Sequence, residues 1–247
     1  RENHMREVTA MNKITFGKRE KLSYRSNEAY KSLRTNVQFC GDDIQVILFT
    51  SCTPNEGKSS VAFNLAVSIA ETGKKVVLVD ADLRKSVMAG RYKVGAVEAG
   101  LTHYLAGQCK LDEVLSQTDI ENMDILLSGQ YAPNPAELLG TDKFAKLIEK
   151  LRKDYDYILI DTPPLGSVID SAIVARVVDG AVLVVENNAI SYRFAQGVKE
   201  QLTKSNCRIL GVVLNKVAME KKGYYGKYYG KYYGKYYGKY YGTYGDE

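Results

Sequence analysis

No stretch of this 247-residue chain approaches the ~20 consecutive apolar residues needed to span a bilayer. The polar N-terminal residues contain no apolar core of a secretory signal. A membrane role would therefore have to come through a partner. Cysteine is scarce: Cys40, Cys52, Cys109 and Cys207 are widely spaced and form no C-x-x-C. That spacing argues against zinc and iron–sulfur ligation and for a reducing compartment. The net charge of +5 is mild and no basic stripe marks a nucleic-acid partner, so none is expected. The sequence has neither H-R-D-L-x-x-x-N nor D-F-G, the motifs of eukaryotic protein kinases.

What the chain does have is alternation. Short Val/Ile/Leu-rich runs, "QVILFTS", "KVVLVDAD", "DYILIDTPP", "AVLVVENNA" and "RILGVVLNK", are separated by amphipathic stretches. The stretch after Lys58 puts Val61, Ala62, Leu65, Ala66, Ile69 and Ala70 on one face and ends at Gly73. Strands this continuously apolar are buried on both sides. The expected fold class is α/β, a doubly wound, mostly parallel sheet with helices on both faces. The expected layout is an N-terminal arm over 1–25 (a natural arm, an activator-derived piece or an added tag), one domain over 26–218 and a tail over 219–247. A helix capped by Ser26 or Asn27 is expected over "SNEAYKSLRTNVQF", one capped by Asp170 or Ser171 over "DSAIVARVVDG" and a single helix over "NPAELLGTDKFAKLIEKLRKDY", while residues 85–130 give only a short helix near 101–106 and a strand at "MDILLSG".

The strand–loop–helix junction at "SCTPNEGKSS" is where a phosphate loop belongs. The pattern G-x-x-x-x-G-K-[ST] is incomplete, because Cys52 takes the place of the first glycine, but Gly57-Lys58-Ser59 is intact. Loop amides of Thr53, Asn55, Glu56, Gly57 and Ser60, with Pro54 shaping the turn, would face anionic oxygens together with the helix N-terminus. Lys58 would reach the outer phosphates and the Ser59 hydroxyl would ligate Mg²⁺. Asp80 and Asp82 lie at the end of one strand and Asp161 at the end of another, the sheet edge where ligands bind in this fold. Carboxylates gathered beside a nucleotide call for a hard cation such as Mg²⁺. The expected metal set is Ser59, Asp82 and Asp161. Asp80 is favoured as the base that takes an acceptor's proton, although Asp80 and Asp82 could share both tasks.

Together "TPNEGKS", "VLVDADLR", "ILIDTPP", "EAYKSLRTNV" and the C-terminal tyrosine cluster resemble the bacterial tyrosine kinases of capsule and exopolysaccharide synthesis. The resemblance covers about 26–247 and implies a P-loop NTPase fold of deviant Walker type. It implies an ATP- and Mg²⁺-dependent protein-tyrosine kinase that phosphorylates a neighbouring subunit's tail, and regulates polysaccharide synthesis and export. It implies a homo-oligomeric ring, activation by the cytosolic tail of a membrane protein, a counteracting tyrosine phosphatase, and a cytoplasmic location peripheral to the inner membrane. It also implies that Lys58, Asp80 and Asp82 are catalytic, that Asn215 contacts adenine, and that Glu28, Lys31 and Arg34 lie in the ring interface. Lys31 stands where the family motif has arginine, and lysine cannot make the same bidentate contact. The competing readings are a Min/Par-like ATPase switch, which would need a lysine early in the loop that this chain lacks, and a non-catalytic ATP-gated scaffold.

The tail itself is "GYYGKYYGKYYGKYYGKYYGTYGDE" and holds eleven of the 19 tyrosines. With glycine every fourth residue and no aliphatic side chain it cannot build a core, so it is expected to be disordered. The acceptors implied by the resemblance are Tyr224, Tyr225, Tyr228, Tyr229, Tyr232, Tyr233, Tyr236, Tyr237, Tyr240, Tyr241 and Tyr244. From Tyr224 onward four lysines stand against Asp246 and Glu247. Each added phosphate contributes about −1.5 to −2, so a few would invert the tail's charge.

Overall fold

The computed structural model describes residues 12–19 and 21–217. The chain divides into two compact units, Arg1–Asn215 and Lys216–Glu247, and every element below belongs to the first. In chain order these are β1 (Asn12–Ile14), α1 (Tyr24–Gln38), β2 (Val46–Ser51), α2 (Lys58–Ala70), β3 (Val76–Asp80), α3 (Met88–Tyr92), α4 (Leu101–Leu105) and β4 (Leu115–Thr118). There follow β5 (Met123–Leu126), α5 (Pro135–Leu139), α6 (Asp142–Asp154), β6 (Tyr157–Asp161), α7 (Asp170–Val174), β7 (Gly180–Glu186), α8 (Tyr192–Lys204) and β8 (Ile209–Asn215).

The strands form one sheet in the order β1-β4-β5-β3-β6-β2-β7-β8. Every pairing is parallel except β4 with β5. The strands β2 and β3 are buried at every position, as their unbroken apolar runs require. Two cores result, one on each face. Phe49, Leu65, Ile69 and Leu78 lead the side covered by α1 and α2. Leu48, Phe144, Leu151 and Ile160 lead the side covered by α6 and α8. The α/β class, the mostly parallel sheet and the buried apolar strands β2, β3, β6 and β7 agree with the sequence reading, whereas β8, read as equally buried, is an edge strand with Val212 and Leu214 exposed, because among the described residues nothing pairs beyond it in the sheet.

Three local expectations are corrected. Residues 12–19 are not a free arm. Asn12–Ile14 pairs with Ser116–Thr118 at the sheet edge, and the buried Phe16 ring packs edge-on against Phe63 at 5.0 Å and Tyr92 at 5.7 Å. A three-residue edge strand carries too little periodicity to be seen in sequence. The long helix after Asn134 is two helices. Gly140 closes α5, and the Thr141 hydroxyl accepts from the Phe144 amide to start α6. Ser23, not Ser26 or Asn27, caps α1, its hydroxyl accepting from the Ser26 amide at 3.1 Å. The tail, with its eleven tyrosines, lies outside the described residues.

Candidate active site

The parallel order brings the C-terminal ends of β2, β3 and β6 side by side, since β6 lies between the other two. Phe49 and Asp161 are register partners, as are Asp80 and Asp161. Thus the loop opening at Ser51 and the carboxylates Asp80, Asp82 and Asp161 share one edge, as the doubly wound topology demands.

The loop from Cys52 to Gly57 is held by its own side chains. Glu56 is almost fully buried, and its carboxylate accepts from the Thr53 amide at 2.7 Å and the Glu186 amide at 3.2 Å. Asn215, at the end of β8, donates from Nδ2 to the Glu56 carbonyl at 2.9 Å. The loop is therefore tied to the ends of both β7 and β8. Cys52, in the first glycine's place, is fully buried, and burial pushes its thiol up to about 12, so it packs rather than reacts. Asn55 and Gly57 have positive φ, 68° and 91°, which turns the loop into α2. A Cβ on Gly57 would lie 2.2 Å from Asn215 Nδ2. Gly57→Ala is expected to break that latch and strain the turn, lowering stability by about 1–3 kcal/mol. A fluorescent ADP analogue titrated into the variant should bind at least tenfold more weakly than to wild type.

Lys58 and Ser59 begin α2, and the Lys58 ammonium gathers the acidic groups. Its Nζ is 3.5 Å from Asp82 Oδ2, 3.9 Å from Asp161 Oδ1 and 3.3 Å from Ser59 Oγ. Asp80 is completely buried. One of its oxygens accepts from the Asp82 amide at 3.3 Å and the other from the Ser86 hydroxyl. Burial and the nearby Asp161 charge push the Asp80 carboxyl up to about 7. Burial also raises Asp161, to about 6, against the opposing pull of Lys58 and the Ser59 hydroxyl. Asp82 is slightly exposed, and its Oδ1 accepts from the Lys85 amide at 3.0 Å.

A divalent cation fits this set. Asp161 Oδ1 is buried without a hydrogen-bond partner, and the Ser59 hydroxyl sits beside the same carboxyl group. Among the described residues no group of three or more His, Cys, Asp or Glu is arranged to hold a metal alone. Mg²⁺ needs none, because one or two carboxylates, a hydroxyl, water and nucleotide phosphates complete its octahedron.

The other sequence candidates divide. Ser60 begins the helix with Ser59, and its hydroxyl accepts from Arg91 at 2.6 Å, a contact that no sequence motif announced. Asn215 does reach the phosphate loop. The trio on α1 is not one outward face: Lys31 pairs with Glu28 at 2.7 Å, whereas Arg34 turns inward and donates to the Ser68 carbonyl at 2.5 Å. Sequence reasoning also missed Ser86, and read Asp170 and Ser171 only as candidate helix caps. In the structure Ile169 is the cap residue and Asp170 is paired with Arg84. The Arg that ends D-x-D-x-R was the available signal.

An AAA domain family model matches residues 45–210. The tyrosine-protein kinase CpsD of Streptococcus agalactiae serotype Ia is 40% identical over 202 residues, covering 82% of this chain and 87% of that protein. The kinase domain of Escherichia coli tyrosine kinase ETK superposes with a TM-score of 0.75 at 33% identity, covering 80% of this chain and 78% of that one. The septum site-determining protein MinD of Pyrococcus horikoshii OT3, complexed with Mg-ADP, has a TM-score of 0.61 at 29% identity over 72% of each chain. The nucleotide-binding fold is thus shared with the Min-type ATPases, while the higher identity and superposition go to the kinases. With its phosphate loop, its three strand-end carboxylates and this degree of likeness, the chain belongs to the bacterial tyrosine-protein kinase family built on the AAA domain.

Proposed function

We propose that this kinase uses Mg-ATP to phosphorylate, between subunits, the tyrosines from Tyr224 to Tyr244 of a neighbouring copy, within a ring-forming assembly that serves polysaccharide synthesis and export. The observation that carries this reading is the convergence of Asp82 and Asp161 on the Lys58 ammonium, each carboxylate within 4 Å of it, at the mouth of the phosphate loop. The tyrosine-rich tail on the same chain supplies its acceptors. Phosphoryl transfer is chiefly positioning and charge stabilisation. The loop amides and α2 N-terminus take the phosphates, and Lys58 bears on the transferring group. Ser59, Asp82 and Asp161 hold Mg²⁺, which when bound neutralises phosphate charge. Asp80 takes the tyrosine proton, its raised affinity for protons suiting a general base near neutral pH. Ser86 holds the Asp80 carboxyl in place through its hydroxyl. Asn215 carries the adenine contact into the phosphate loop through its bond to Glu56.

The same reading gives the kinase a membrane-bound activator, a phosphatase that reverses its action and a place at the cytoplasmic face. Among the described residues no helix is long and apolar enough to cross a membrane. Incubation with Mg-ATP should yield phosphotyrosine, abolished by EDTA. No phosphotyrosine, even with an activator segment added, would leave only a nucleotide-gated scaffold. Because phosphates invert the tail's charge, gel filtration after incubation should show a smaller assembly than before. An unchanged elution volume despite heavy phosphorylation would contradict charge-driven disassembly.

A further inference from the structure

Arg84 follows Asp82 by two residues in the loop after β3, and Asp170 opens α7 after β6. Their side chains meet as a fork: Arg84 Nε donates to Asp170 Oδ2 at 2.7 Å and Nη2 donates to Oδ1 at 2.9 Å. Asp170 is wholly buried, while Arg84 is about one-third exposed at its side chain. The carboxylate stands on a rigid base. Its neighbour Ser171 lies in a buried hydroxyl network, 2.9 Å from Thr50 Oγ1 and 2.8 Å from Thr162 Oγ1, and donates to the Pro163 carbonyl at 2.6 Å. Thr50 belongs to β2, and Thr162 and Pro163 follow β6, so this network joins the end of the strand from which the phosphate loop springs to the end of its neighbour β6. Before Asp82, the Ala81 amide ties the loop to β6 by donating to the Asp161 carbonyl at 2.8 Å; beyond Asp82 the Arg84 fork is the tie to that side. Lys85 N bonds back to Asp82 itself, and Leu83 O accepts from Ala132 on the far side of β3.

We propose that Arg84 and Asp170 form a clamp that sets the position of Asp82 over the phosphate loop, so that both are positioning residues for the metal–nucleotide site. The proposal rests on the assignment of Asp82 to that site. A bidentate guanidinium–carboxylate pair fixes direction as well as distance, which a lysine cannot do. Groups that orient ligands in this way typically matter by 10–100-fold in metal affinity or activity. Removing Asp170 would leave Arg84 partly in water, but removing Arg84 would leave a buried carboxylate unpaired. Arg84→Lys keeps the charge and is the primary variant; Asp170→Asn is the second.

The test uses the full chain and three readouts. Titrating Mg²⁺ against binding of a fluorescent ADP analogue, with no turnover, should show Arg84→Lys needing about tenfold more Mg²⁺ for half-saturation. In nucleotide-free protein, hydrogen exchange of amides 82–86 should quicken while that of β3 stays unchanged. Tail phosphorylation should lose about 10–100-fold in kcat with the KM for ATP within about threefold of wild type. Asp170→Asn should reproduce the Mg²⁺ shift. An unchanged Mg²⁺ requirement in both variants, or a kcat that falls only in proportion to the folded fraction, would overturn the clamp. Absence of phosphotyrosine from wild type would instead defeat the kinase reading and leave the ADP-binding and exchange results to decide the clamp by themselves.

Discussion

Lys58→Met is expected to acquire about 10³-fold less phosphotyrosine than wild type when incubated alone with Mg-ATP. The ammonium sits within 4 Å of both Asp82 and Asp161, so its loss removes the cation proposed to bear on the transferring group and takes from two carboxylates the charge they face. A factor of 10³ corresponds to about 4 kcal/mol of transition-state stabilisation. The same variant keeps its eleven tail tyrosines. Mixed with an active chain whose tail tyrosines are all phenylalanine, it should therefore be phosphorylated at close to the wild-type rate. A Lys58→Met chain that stays unlabelled in that mixture would mean transfer within one chain.

Asp80→Asn should separate activity from stability in opposite directions. Loss of the proposed proton acceptor should cost about 10²–10⁴-fold in kcat. Yet Asp80 is fully buried and its carboxyl is pushed up to about 7 by burial and by Asp161. A carboxyl whose pKa is higher folded than unfolded favours folding most when both states are protonated, below about 4, and loses that advantage as pH rises towards 7. In EDTA and without nucleotide, the variant should therefore be more stable than wild type by about 1–3 kcal/mol at pH 7.5, and the gain should shrink by pH 5. Thermal melts at the two pH values check this. A variant less stable than wild type at pH 7.5 would show that the Ser86 and Asp82 hydrogen bonds outweigh the cost of the buried charge. Such an opposition between stability and activity is common where a site gathers like charges.

The parts legible in sequence were those with a strong local rule behind them. Continuous Val and Ile runs gave β2, β3, β6 and β7, because a strand buried on both faces needs apolar residues throughout. Gly57-Lys58-Ser59 between a strand and a helix gave the phosphate loop, and strand-end aspartates gave the carboxylate cluster. What stayed hidden depends on tertiary neighbours. The edge strand β1 has only three residues, and its reason to exist is Phe16 filling the space beside Phe63 and Tyr92. Glu56 looked like a loop residue facing a ligand, whereas its carboxylate braces the loop from behind. Arg34, which the resemblance places in a ring interface, also reaches the last turns of α2 through Ser68, a contact the sequence does not announce. No spacing rule on one helix reveals a partner 34 residues away.

Whether the tyrosine tail is the substrate of the site at the sheet edge is tested directly by incubating wild-type protein with Mg-ATP, digesting it and mapping the products by mass spectrometry. Phosphotyrosine should concentrate in residues 223–247, several phosphates per chain, with about 10³-fold less in the matching digest of Lys58→Met incubated alone. Phosphate confined to tyrosines of the domain body, such as Tyr24 or Tyr192, with the tail unmodified, would contradict that role.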